Sequence, residues 1–327
     1  MNKSKYVFAQ LIEFLDSDKF RHLADKYDGN RYVKHFTCWN QLLALMFGQL
    51  SNRESLRDLI VALEAHQSKR YHLGLGREPI AKTTFATANQ TRDYRIFEEF
   101  AFYMMDLARS KRATDIFKLK GKVYAFDSTT IPLCLSVFWW AKFRKKKGGV
   151  KAHILYDLES QVPAYFHITT ASVHDSKAMK EIPYESGSYY VFDRGYNAFR
   201  ELYRIHQHES FFIVRAKKNL QYKCIKWRRR MPRNVLTDSE IILTDYITSK
   251  KYKEKLRLVK FYDEEQGREL SFLIVQHDMR LERSTYEVLQ ILSISLTDKT
   301  PLKELFEKTK FNDVKEQSGP LIPGLFD

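Results

Sequence analysis

Two stretches of this sequence share an ending. "VYAFDST" (residues 123–129) and "YYVFDRGY" (residues 189–196) each run apolar and aromatic residues into an aspartate, Asp127 in the first and Asp193 in the second. In an open sheet, chemistry gathers beyond the carboxyl ends of the strands. If these two strands are neighbours, the carboxylates face each other, and like charges that close are costly unless one is protonated or a cation lies between them. A divalent ion, Mg2+ (or Mn2+), suits such hard oxygen ligands and keeps positions open for water and phosphate oxygens. Two such ions about 4 Å apart activate an attacking hydroxyl and steady the leaving oxygen of a phosphodiester. One strand-terminal aspartate more often ends a strand or caps a turn. Two with the same Phe-Asp ending narrow that gap.

The charge balance points to the same class of substrate. Among 327 residues, 55 Lys and Arg stand against 40 Asp and Glu, a net +15, which favours a polyanionic partner, with double-stranded DNA ahead of a membrane. Basic and aromatic residues cluster in "FWWAKFRKKKGGVK" (residues 138–151), "RAKKN" (215–219) and "KWRRR" (226–230). Lys145, Lys146, Lys147, Lys217, Lys218, Arg228 and Arg229 are candidates for phosphate contacts, and Trp139, Trp140 and Trp227 for stacking on bases. The bland readings, core tryptophans and solvated basic loops, stay open. Gly148 and Gly149 suit a tight turn between two strands.

Other chemistries find little support. Cys38, Cys134 and Cys224 lie far apart without a Cys-x-x-Cys pair, so neither a disulfide framework nor a cysteine zinc site is expected. No run of about eighteen apolar residues is present to span a bilayer, and "MNKSKYVFAQ" lacks the features of a secretory leader, so the expected location is the cytoplasm. His174 and Asp175 in "SVHDSKAM" add polar groups after a strand, with Asp175 suited to capping a helix that starts at Ser176.

The elements that must position the aspartates follow from periodicity. Residues 1–115 read as helical, with apolar residues three and four apart at Phe8, Leu11, Ile12 and Leu15 and again at Leu42, Leu43 and Met46. Ser51, with Glu54 three residues on, suits a capping box ahead of Leu56, Leu59, Ile60 and Leu63. "AKTTFATANQTRDYR" (81–95) carries Thr83, Thr84, Asn89, Gln90 and Arg92, side chains suited to a helix in a DNA groove, or to a solvated surface. From Lys122 the pattern turns extended. "KVYAFDST", "GVKAHILYDL", "QVPAYFHITTA" and "SYYVFD" read as strands, the middle two a hairpin through Glu159 and Ser160, followed by a helix with Phe199, Leu202, Tyr203 and His206 on one face. That makes an α/β sheet. "SFFIVRAKK", "KLRLVKFY" and "ELSFLIVQH" add strands, with a basic stretch between them.

These residues carry a resemblance. "VYAFDSTTIPLC", "GGVKAHILYDLES", "TASVHDSKAM" and "YYVFDRGYNAFRELYRIHQHESFFIVRAKKN" resemble DDE transposases of bacterial insertion sequences, specifically the insertion-sequence-four family, and the first eighty or so residues are similar to the helical N-terminal domain of one of its branches. The resemblance implies a ribonuclease H-like mixed sheet with a β-strand insertion, magnesium dependence and cut-and-paste transposition, with a homodimer pairing two element ends. The implied division is a helical DNA-binding domain over 1–115, a catalytic core over 116–208, a strand insertion over 209–278 and C-terminal helices over 279–327. Asp127 matches the first catalytic aspartate and Asp193 the second. Arg194 and Tyr196 match the partners that follow the second, in contact with DNA or in support of the metal site.

The third member should be a glutamate within Tyr-x2-Arg-x3-Glu-x6-Lys. No tyrosine beyond Asp193 has arginine three places on, and "ELSFLIVQHDM" runs almost directly into "RLERSTYEVLQILSISLTDKTPLKELFEK", which resembles the segment that closes family members. The helix carrying the glutamate is therefore expected to have been lost near residues 279–283, with impaired catalysis, and the third acidic ligand is unknown. Glu287 suits a capping box with Ser284, and Glu282 and Glu304 lie near helix starts, so local structure explains each of them. A DNA-binding protein that occupies element ends without cutting is the competing reading.

Overall fold

Among the described residues, apolar spacing of three and four becomes six α-helices ahead of the sheet: α1 (Val7–Ile12), α2 (Ser17–Lys26), α3 (Cys38–Leu50), α4 (Leu56–Ala65), α5 (Lys82–Thr91) and α6 (Arg95–Lys111). The computed structural model describes residues 7–53, 55–71, 74–76, 78–112, 121–133, 141–144, 147–229, 231, 235–264 and 267–275. Phe20 of α2 is buried, and its ring meets Trp39, Phe97 and Phe100 at 5.3, 5.8 and 5.0 Å between centroids. Such aromatic contacts stabilise beyond the area they bury. A second cluster, with Phe8, Leu43, Leu59, Leu63 and Phe85 among its members, packs α1, α3, α4 and α5.

Two local expectations are corrected here. Ser51 does not open α4: it closes α3, donating its hydroxyl to Phe47 O at 2.6 Å, while Ser55 caps α4 by accepting from Asp58 N at 3.1 Å. Both serines precede an acidic residue by three, and the helix takes the start nearer the face that Leu59, Ile60 and Leu63 bury. The side chains in α5 and beyond it are also divided differently. Asn89 accepts from Gln41 Nε2 at 2.6 Å, and Arg92 donates to Thr37 O at 3.0 Å, to Gln41 Oε1 at 2.7 Å and to Phe36 O. They tie α5 to the start of α3, and only Thr83, Thr84 and Gln90 of that group face solvent.

The extended segments form one mixed sheet from β1 (Val123–Leu133), β2 (Lys142–Arg144), β3 (Lys147–Asp157), β4 (Val162–Thr170), β5 (Tyr189–Phe192), β6 (Phe211–Arg215), β7 (Tyr222–Trp227), β8 (Val235–Leu243), β9 (Leu256–Asp263) and β10 (Arg268–Val275). The order is β2-β3-β1-β5-β6-β10-β9-β8-β7, with β4 also on β3. β1, β3 and β4 are antiparallel, whereas β1, β5 and β6 run parallel, the mixed α/β arrangement expected of a ribonuclease H-like sheet. The sheet has no break at residue 209, because β6 pairs with β5 on one edge and with β10 on the other. The basic stretch expected to separate strands begins inside a strand, with Lys226 and Trp227 ending the exposed β7, and β8 was not anticipated. Gly148 and Gly149 are strand residues rather than a turn, paired with Leu133 and Pro132, and a Cβ on Gly149 would stand 3.0 Å from Ile131 O.

Three further α-helices, α7 (Asp175–Ala178), α8 (Phe199–Gln207) and α9 (Tyr246–Lys251), follow among the described residues, and the core of one sheet face includes Met179, Leu202, Ile205 and Tyr252. The helical region joins the sheet through α6, where Phe102 stacks on Phe166 at 4.7 Å and Arg109 reaches Tyr124 Oη at 3.0 Å and Asp157 at 3.4 Å. No helix among the described residues is long and apolar enough to cross a membrane. The expected segment over 279–327 lies outside the described residues.

Between β8 and β9 lies a buried ion pair, with Arg257 Nε 2.9 and 3.1 Å from the two oxygens of Asp238 and Arg257 Nη2 at 2.5 Å. Removing one member leaves a charge in the interior without its counterpart. Asp238→Ala is expected to lower the unfolding free energy by about 3–5 kcal/mol, read from urea denaturation, and a loss under about 1 kcal/mol would contradict this account of the pair.

Candidate active site at the strand tips

β1 and β5 pair in parallel with Phe126 opposite Phe192, so Asp127 and Asp193 come next on their respective chains. Residues opposite each other across one strand spacing share a face and lie about 5 Å apart at the backbone. β5 ends there, and Asp193 (φ −75°, ψ 173°) leads into a 3-10 turn over Arg194–Tyr196, while β1 continues along β3 to Leu133. Among the described residues, the early end of β5 leaves the β1 edge without a strand partner beyond Phe126 on that side.

The Phe-Asp ending has a packing reason. That turn carries Tyr196 back under the tips, 2% exposed, with its ring 5.3 Å from Phe126 and 5.8 Å from Phe192. Alternation along each strand then sends the aspartates the other way. Tyr196 thus packs beneath the tips and leaves almost none of its side chain open to solvent. Burial raises the Tyr196 phenol above its usual range, and its hydroxyl lies near Ser128 without a well-formed hydrogen bond.

Asp127 is crowded by protein on most sides yet keeps open surface. Crowding pushes its carboxyl up to about 6, against the hydrogen bond from Ser128 N at 2.8 Å and with help from the charges of Asp193 and Asp175. Asp193 has Arg215 Nη1 at 3.9 Å from its Oδ1. Two hard oxygen donors one strand apart, one of them short of positive charge, are a donor set that fits a divalent cation. Among the described residues no three His, Cys, Asp or Glu side chains converge to hold an ion by themselves. Mg2+ accepts such carboxylate oxygens alongside water and phosphate oxygens.

Sequence reasoning missed the neighbours of this pair. Asp175 is not the cap of α7; His174 is, its Nδ1 accepting from Ser176 N at 3.3 Å. Asp175 instead accepts from Ser128 Oγ at 2.9 Å and pairs with Lys151 Nζ at 2.9 Å. Burial would raise its carboxyl, but those two partners outweigh it and hold Asp175 below the usual range. Lys151 also donates to Val173 O at 2.9 Å. His153, fully buried, bonds Thr169 Oγ1 at 2.9 Å, and burial brings it down to about 4, so it is neutral at pH 7. The signal was present in β3, where Lys151 and His153 share a parity with buried Leu155.

The basic candidates are scattered more widely. Lys217 and Lys218 are exposed after β6, close in sequence to the tips, and Arg229 is exposed after β7. Arg228 is turned toward buried Asp238, its Nε 3.8 Å from Oδ2, and Trp227 is 62% exposed on the edge strand. Lys147 begins β3. Lys145, Lys146, Trp139, Trp140 and Cys134 lie outside the described residues.

A raised Asp127 means the folded chain binds a proton more readily than the unfolded chain. Between about pH 4 and pH 6, then, stability contributed by this group falls as pH rises, and above that window the full penalty remains. In metal-free buffer, Asp127→Asn is expected to be more stable than the parent at pH 7 by about 1 kcal/mol, allowing for solvent access, with the gap closing toward pH 4. Paired urea melts at the two pH values check this, and a gap that grows toward pH 4 would contradict it.

A family described as a transposase DDE domain matches residues 118–297, and one described as a domain of unknown function (DUF4372) matches residues 3–76. "Putative transposase y4zB" of Sinorhizobium fredii is 34% identical over 158 residues, covering 48% of this chain and 42% of that protein. "Probable transposase for insertion sequence element IS5377" of Geobacillus stearothermophilus is 30% identical over 95 residues, covering 29% of this chain and 25% of that protein. The matched parts thus span less than half the length of either relative. A solved piggyBac transposase synaptic complex with hairpin DNA aligns with 92% of this chain and 70% of its own at 12% identity, with a TM-score of 0.38, too low to bear on the fold. With more than half of its residues matched, the chain belongs to the transposase DDE domain family.

Proposed function

We propose that this insertion-sequence transposase binds double-stranded DNA, cleaves a phosphodiester at the element's end and joins the freed 3′ hydroxyl to target DNA, with Asp127 and Asp193 as its metal-holding carboxylates. The observation that carries the reading is the parallel register of β1 and β5, which sets these two side chains next to each other at the strand tips. Transposase DDE domains generally use divalent metal ions, and Mg2+ or Mn2+ suits this oxygen pair. Such an ion, when bound, supplies charge that polarises a phosphodiester and eases deprotonation of the attacking hydroxyl. The chain's own part is to hold the two carboxylates still, through Tyr196 beneath them and the Asp175–Lys151–Ser128 contacts beside Asp127. Lys217, Lys218 and Arg229, with Lys145, Lys146 and Lys147, are assigned to the DNA backbone. Two copies of the chain would pair the two element ends.

Catalysis in this chain is read as impaired. The glutamate of Tyr-x2-Arg-x3-Glu-x6-Lys is absent from the sequence, and residues 279–283, where it would have stood, lie outside the described residues. The family match, which extends on both sides of that point, supports transposase descent over a silent DNA-binding protein.

Incubation with linear element-end DNA and Mg2+ or Mn2+ tests both parts. The chain is expected to bind and to nick weakly, with nicking lost in Asp127→Ala. Reinsertion of a glutamate-bearing helix from a relative is expected to raise nicking on the order of a hundredfold. Rapid nicking by the unaltered chain would contradict impairment, and nicking that persists in Asp127→Ala would contradict the assigned site.

A further inference from the structure

The register that aligns the aspartates continues into two more strands. β5 and β6 pair with Phe192 opposite Val214, so Arg215 follows beside Asp193 as Asp193 does beside Asp127. β6 and β10 pair with Arg215 opposite Phe272, and Arg268 lies four residues before Phe272 on β10. Residues an even number apart on a strand share a face, so Asp127, Asp193, Arg215 and Arg268 all belong to one side of the sheet. Arg194 directly follows Asp193 in the turn after β5. Three cations from three separate segments therefore lie about the tips of β5 and β6 and the start of β10.

Their internal partners do not complete them. Asp193 Oδ1 is 3.9 Å from Arg215 Nη1, and Asp263 Oδ2 is 4.0 Å from Arg268 Nε, both beyond hydrogen-bond length. The Nε atoms of Arg194, Arg215 and Arg268 are each buried without a hydrogen-bond partner. One such orphan calls for an explanation, and three on adjacent like-charged side chains call for a common one. An anion with several oxygens answers both the charge and the missing acceptors, and the planar guanidinium fork matches a phosphate in a way that a lysine does not.

We propose that Arg194, Arg215 and Arg268 form a clamp for one backbone phosphate of DNA, adjoining the phosphodiester that Asp127 and Asp193 serve. The assignment rests on the transposase reading for the identity of the anion. It gives the extra strands a direct part in the chemistry: β10 delivers Arg268 to the tips, so the strands beyond β6 anchor the DNA strand where the reacting bond must be held. The clamp also offsets the repulsion that a phosphate meets on approaching two carboxylates.

The test is the salt dependence of binding by the full chain to a fluorescent duplex of roughly 30 base pairs, measured by anisotropy in EDTA so that cutting plays no part. Arg268 is the position to change because its side chain is 40% exposed, and thermal melting without DNA checks that each variant folds. Arg268→Gln is expected to weaken binding about tenfold and to reduce the slope of log K against log salt by about 0.9, one phosphate's worth. Arg268→Lys keeps the charge and is expected to remain several-fold weaker than the parent. An unchanged slope in Arg268→Gln, or full recovery in Arg268→Lys, would overturn the clamp while leaving the cutting assignment standing. Nicking that survives in Asp127→Ala, with both Arg268 effects present, would overturn the cutting assignment and leave the clamp. A parent chain that binds no duplex would overturn both.

Discussion

The parallel pairing of β1 with β5 is the constraint on which the site depends, because it brings two carboxylates to adjacent strand tips. That placement is unfavourable in itself: Asp127 is pushed up to about 6 by its surroundings and by the charges nearby. The fold holds it by other means. Phe126, Phe192 and Tyr196 pack together directly under the tips, so the residues preceding each aspartate and the turn following the second are fixed by aromatic contact. Arg215 stands beside Asp193, and Ser128 N donates to Asp127. A protein that kept this arrangement only for stability would gain by replacing one aspartate with a neutral residue. Retaining both makes sense when a cation is shared between them.

What could be read from the sequence was what local pattern determines. Helical spacing in the first hundred residues, the β3–β4 hairpin and the two Phe-Asp strand ends are each set by residues near one another in the chain. The errors arose where two local solutions competed and distant packing chose between them. Ser51 and Ser55 both look like caps, and the buried face of α4 selects Ser55. Asn89 and Arg92 have the chemistry of DNA contacts, but the start of α3 takes them. Asp175 has the position of a cap, yet Lys151 and Ser128, on other strands, draw its carboxylate toward Asp127.

The arginine cluster was the least legible feature. Arg194, Arg215 and Arg268 are spread over more than seventy positions and no spacing rule links them. Only the order β5-β6-β10 brings them together, and that order places a strand from late in the chain against one from the middle. The same order explains why the sheet does not end at β6. The net positive charge visible from composition says that an anion is favoured, but the strand order decides where the anion meets the carboxylates.

The most direct measurement of the central claim is equilibrium Mn2+ binding at neutral pH, followed by electron paramagnetic resonance of the free ion. The account predicts binding by the parent chain that is lost in Asp127→Asn and equally in Asp193→Asn, since either carboxylate alone is a poor site. Mn2+ affinity that is the same in the parent and in both variants would contradict the sharing of one ion between the two strand tips.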